Sequence, residues 1–168
     1  MLHDVLLCLT VDQLKSLMRW LPDTTPVGKK DQLIGQILKS FDGDGLHALW
    51  DRLDDTQRKA VAEAAYAERG VFDGKRFRAK YGRLPDFTVD EGGRRYSYRG
   101  QPTALGLFLY YEAGRYSLPS DLGERLRGFV QEPPPMRLSP FDALPEKIGE
   151  KQLIVRRTEL DPLGDLPV

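Results

Sequence analysis

Two short signatures constrain this chain most: Thr10-Val-Asp-Gln13 and Asp54-Asp-Thr-Gln57 each set an oxygen-bearing side chain three residues ahead of a glutamine. In such a pair the first side chain accepts from a first-turn amide while the glutamine reaches back, so helices are predicted to start at Val11 and Asp55. Leu14, Leu17, Met18 and Leu21 then mark one apolar face before Pro22 closes the segment. Leu33, Ile34, Ile37, Leu38 and Phe41 mark a second, which Asp42-Gly-Asp-Gly45 ends. Leu46 to Leu53 forms a third helical unit, and the alanine-rich run from Asp55 to Glu68 a fourth that can pack closely.

Farther along, Val71-Phe72 reads as a short strand, and Asp73 can cap a basic helix, Gly74 to Tyr81, with Phe77 and Tyr81 four residues apart. Gly92-Gly93 suits a hairpin turn within Phe87 to Arg99, where period-two geometry separates Tyr96 and Tyr98 from Arg95, Ser97 and Arg99. Pro102 is expected to open a nearly all-apolar, buried helix over Thr103 to Ala113 that ends at Gly114. A Tyr116-Ser-Leu118 strand and a helix from Ser120 or Asp121 to Val130 follow, and then Gln131-Glu-Pro-Pro-Pro135 stiffens the chain. The expected class is mainly α with a small β-hairpin.

The 168 residues are 40% hydrophobic, enough for one ordinary core or two small ones. No run of about 18 apolar residues is present to span a bilayer, the opening MLHDVLLCLT lacks an export pattern, and Cys8 is alone, so a reducing cytoplasm is the expected setting. The 25 basic and 25 acidic residues cancel, so any attraction to nucleic acid must be local. No chemistry of turnover is legible. Gly70 to Lys75 is one residue too short for a phosphate loop, and Arg76 stands where a Ser or Thr belongs. Asp42 to Leu53 lacks the terminal glutamate of a calcium loop, and His3, His47 and one cysteine make no zinc set. The chain is therefore read as a non-enzyme without cofactor or metal.

Lys29-Lys30 poses the main question, because the start of a helix is already its positive end and prefers carboxylates. Leu9 to Lys15 followed by Val27 to Ile34 resembles a SAP motif, a helix, extended loop, helix unit found in DNA-associated proteins; the likeness spans residues 9 to 41. Trp20-Leu21-Pro22 replaces the usual Gly-Leu pair, and the loop is long. The resemblance implies binding of double-stranded DNA through helix N-termini and Lys29 and Lys30, with Lys15 and Arg19 as helpers. Residues 54 to 130 are similar in element order to a winged helix, a combination that resembles the front of bacterial helicase-associated proteins. The expected organisation is a SAP-like module over 1–45, a winged-helix-like module over 46–130, and a Pro-rich extended segment over 131–168 that leads toward a further domain.

The helix expected over Thr103 to Ala113 offers only Glu112 as a charged side chain, so base reading there is disfavoured. Contacts in this part are instead expected from Lys75, Arg76, Arg78 and Lys80 with Arg94, Arg95 and Arg99, chiefly to phosphates and with weak sequence preference. The competing reading is a protein-docking module with an apolar patch around Trp20, Trp50 or Phe141.

Overall fold

Both capping signatures close as expected. The Thr10 hydroxyl accepts from the Gln13 amide at 3.3 Å and the Gln13 side chain accepts from the Thr10 amide at 2.8 Å, opening α2 (Val11–Met18). Asp54 and Gln57 form the same reciprocal pair at the head of α5 (Asp55–Tyr66). The computed structural model describes residues 1–22, 28–89 and 101–136. Met1–Pro135 is one compact unit, and of the second, Met136–Val168, only Met136 is described.

The compact unit is mainly helical, with α1 (Leu2–Cys8), α3 (Lys30–Ser40), α4 (Gly45–Asp51), α6 (Gly74–Tyr81) and α7 (Ser120–Arg127) besides α2 and α5. No described helix is long and apolar enough to cross a membrane. Strands β1 (Val71–Phe72), β4 (Tyr110–Glu112) and β5 (Arg115–Ser117) make an antiparallel sheet in the order β1-β5-β4. A second ladder pairs β2 (Thr88–Val89) with β3 (Gln101–Pro102).

One hydrophobic cluster runs from Leu2 to Val130. Phe108, fully buried, meets Phe41 edge-on at 5.9 Å and Trp50 at 6.5 Å, so side chains from either side of residue 45 share a core. Removing the Phe108 ring would cost about 3–5 kcal/mol. The Asp121 carboxylate accepts from the Leu2 amide at 2.9 and 3.1 Å and ties α1 to α7. At Gly70, φ is +68° and an added Cβ would lie 2.4 Å from the Leu118 carbonyl oxygen, so only glycine allows the link from α5 to β1 to pass this close to the chain leaving β5.

The helix expected over Thr103 to Ala113 does not form. Pro102 lies in β3 opposite Thr88, Ala104–Leu107 makes a single 3-10 turn, and the chain then enters β4. Ala113 and Gly114 both hold positive φ, 49° and 82°, and make a two-residue turn whose twist suits the β4–β5 hairpin. Leu105, Leu107, Phe108 and Leu109 are all buried, which is why the segment is apolar without helical periodicity. The last helix ends at Arg127, short of Val130, and α5 ends at Tyr66, short of Glu68.

Among the described residues, helix ends engage five of the chain's cations. Lys30 Nζ donates to the Leu7 carbonyl at 2.6 Å, at the end of α1, and Arg52 donates to the Trp20 carbonyl at 2.7 Å, just beyond α2. Arg125 donates to the Phe41 carbonyl at the close of α3. Arg58 serves Trp50 and Asp51 at the end of α4, and Arg127 serves Ala65 near the end of α5. Each cation meets carbonyls at or just beyond the negative pole of a helix.

Candidate nucleic-acid interface

The start of α3, like those of α1, α4 and α7, has no side-chain cap bond. Lys29 holds the extended geometry of a capping residue, φ −88° and ψ 139°, yet its side chain makes no cap bond. By contrast, Thr10, Asp54 and Asp73 cap α2, α5 and α6 with side-chain oxygen. Among the described residues, no group accepts from the backbone amides of Lys30, Asp31 or Gln32. These donors converge at the positive end of an eleven-residue helix, with exposed Lys29 beside them.

The two lysines part company here. Lys30 turns its ammonium to α1 and is already bonded, so the expected convergence of both charges on one phosphate is not what the fold provides. Lys29 remains exposed. Lys15 and Arg19 are exposed at the far end of α2, which packs on α3, and among the described residues neither makes an ion pair.

Helix α6 forms as expected: the Asp73 carboxylate accepts from the Lys75 and Arg76 amides at 2.9 and 3.0 Å, and Gly82 ends the helix in the left-handed region. Phe77 is its buried anchor, packed on Phe72 at 5.2 Å and Tyr81 at 4.6 Å. Lys75, Arg76 and Arg78 are exposed. Lys80 is not. Its side chain is only 9% exposed and its ammonium donates to Glu63 Oε1, which also accepts from the Tyr81 hydroxyl at 2.8 Å. Burial opposes the Lys80 charge, but the bonds to Glu63 and Tyr81 outweigh it and hold its pKa above the usual lysine value. Burial, then the bond to Glu63, raises that of Tyr81. Lys80 therefore belongs to an internal ion pair and drops out of the candidate contacts.

Carboxylates interleave with the remaining cations of α6. Arg76 opens onto a groove of about 660 Å3 that also holds Glu63, Glu68, Asp73 and Glu132. Arg78 opens onto another of about 590 Å3 with Asp54, Asp55 and Asp86. The packing that unites α2 with α3 does not bring in α6, which rests on α5 through Lys80 and Tyr81 and on β1 through Phe72. Arg94, Arg95 and Arg99, with the Gly92-Gly93 turn and Tyr96 and Tyr98, lie outside the described residues.

The tryptophans do not form an apolar docking patch. Trp20 is half-buried with its indole N–H donating to the Pro102 carbonyl at 2.8 Å, and Trp50 packs on Phe108 and Phe129. Phe141 lies outside the described residues. His47 stacks on Phe129 at 4.1 Å, and among the described residues no cluster of three His, Cys, Asp or Glu side chains could hold a metal ion. Set against family models, curated proteins and solved structures, the chain matches none of them.

Binding through this helix N-terminus is what the sequence leads one to expect; what it does not show is that Lys30 turns away to the Leu7 carbonyl. The sequence sign is that no Ser, Thr, Asp or Asn stands at position 29, whereas α2, α5 and α6 carry Thr10, Asp54 and Asp73 there.

Proposed function

We propose that this protein is a non-catalytic module that binds double-stranded DNA through phosphates, seated chiefly at the start of α3. One observation carries the reading: at the start of α3 the first-turn amides meet no acceptor among the described residues and lie beside an exposed lysine. Phosphate oxygen is the natural partner for such a set, and Lys29 supplies the countercharge. Lys15 and Arg19, carried on the helix packed against α3, extend the contact, and Lys75, Arg76 and Arg78 are secondary.

Element order lends further support. The succession of α2 and α3 is compatible with a SAP-like unit, and that of α5, β1, α6 and the β4–β5 hairpin, with β5 beside β1, is compatible with a winged helix. Because residues 103–113 form a 3-10 turn and a strand, no described element there offers a helix to the major groove, and weak sequence preference follows.

A labelled duplex titrated at about 50 and about 200 mM salt tests this. Three neutralised phosphates would weaken binding about 40-fold over that range, from a slope of about −0.9 per phosphate. Absence of binding at the lower salt, or an affinity indifferent to salt, would overturn the proposal.

A further inference from the structure

A third groove, of about 430 Å3, lies between α2, the β2–β3 ladder and the β4–β5 hairpin. Its character differs from the two beside α6. Phe87 stacks on Tyr116 at 3.9 Å, and Tyr111 leans on Tyr116 at 5.1 Å. Pro102 and Gln101 form part of the wall, and the only charged side chain among its described lining residues is Asp12. Asp12 makes no ion pair among the described residues.

Tyr111 is the reason to expect an occupant. It is 68% exposed, the largest aromatic surface left open among the described residues, and it sits on β4, the edge of its sheet. Glu112 and Arg115 flank the two-residue turn as a hydrogen-bonded pair, so by the alternation of an antiparallel ladder the Tyr111 N–H and C=O face away from β5. An aromatic shelf and an unpaired backbone edge therefore border the same groove.

The chemistry selects among possible occupants. Asp12 leaves a negative charge in the groove for a ligand to answer. The exposed Tyr111 ring, set beside the stacked pair Phe87 and Tyr116, offers a flat face to pyrrolidine rings, while its hydroxyl and the Gln101 amide can donate to the solvated carbonyls of a polyproline helix. We infer that this groove docks a proline-rich extended segment of a partner protein, with a lysine or arginine of that segment paired to Asp12. The site is separate from the α3 terminus and stands independently of phosphate binding there.

The test uses the full chain and a labelled synthetic peptide carrying two proline pairs and a terminal arginine, with a second peptide ending in glutamate and a third in which alanine replaces the prolines. Saturable binding of the arginine peptide is expected, with the other two at least about tenfold weaker. Tyr111→Ala, a change at an exposed side chain, should weaken the arginine peptide about tenfold while Tyr111→Phe keeps it. Asp12→Lys should reverse the preference toward the glutamate peptide, a readout that loss of stability cannot mimic. No saturable binding, equal binding of the alanine peptide, indifference to Tyr111→Ala, or unchanged charge preference in Asp12→Lys would each overturn the inference, as would an oligonucleotide that competes for the groove.

Discussion

Replacing Lys29 with Asp should stabilise the fold and weaken DNA binding, two effects that ordinary surface substitutions do not combine. Lys29 already has the extended φ and ψ of a capping residue, so an aspartate needs no backbone movement to accept from the amides behind it. A new side-chain cap contributes about 1 kcal/mol, and exchanging a cation for an anion at the positive helix pole adds about 0.5 kcal/mol. For a compact unit of Met1–Pro135, a gain of about 1.5 kcal/mol corresponds to a rise in Tm of roughly 4–7 °C. The same carboxylate occupies the donors proposed for phosphate and reverses the charge beside them, so affinity for a labelled duplex should fall by about tenfold or more, with a shallower salt slope. Thermal melts and anisotropy titrations on one preparation read both quantities. A higher Tm with unchanged affinity would show that phosphate does not sit at α3; an unchanged Tm would show that the amides are not open, and the reasoning would fail at its first step.

Lys80→Met should cost about 2 kcal/mol in urea unfolding, because it strands the Glu63 carboxylate, whose side chain is only 16% exposed, while leaving DNA affinity within about twofold; loss of affinity at full stability would restore Lys80 as a contact. Tyr110 is buried with its hydroxyl donating to the Leu107 carbonyl at 2.9 Å, and burial pushes its pKa far above the usual tyrosine value. A pKa raised by folding means that this contribution is fully present below the unfolded value near 10 and declines as pH climbs above it. Urea midpoints should thus drop above about pH 10, and Tyr110→Phe should lose about 1 kcal/mol at neutral pH but show a flatter alkaline decline; parallel declines in both proteins would remove Tyr110 as the cause.

Local chemistry was legible wherever a few neighbouring residues settle a conformation. The Thr10–Gln13 and Asp54–Gln57 boxes, the Asp73 cap and the apolar faces of α2 and α3 all formed from signals within one or two turns of chain. Residues 103–113 were misread because their apolar character comes from burial on all sides, and burial alone does not separate a helix from a turn and a strand. The Ala113-Gly114 turn carried the contrary signal, but a glycine after an apolar run serves equally as a helix end.

Charge was the harder matter. The sequence by itself determined how many cations there are, that they balance the carboxylates, and that Lys29 opens a helix without a capping side chain. Only the tertiary structure decided which of those cations remain available. Lys30 reaches a carbonyl 23 positions away, Arg125 one 84 positions away, and Lys80 a carboxylate 17 positions away. Packing delivers those acceptors: when amphipathic helices bury their apolar faces, their negative poles come to rest beside side chains from distant parts of the chain, and no pattern along the sequence states which pole will meet which cation.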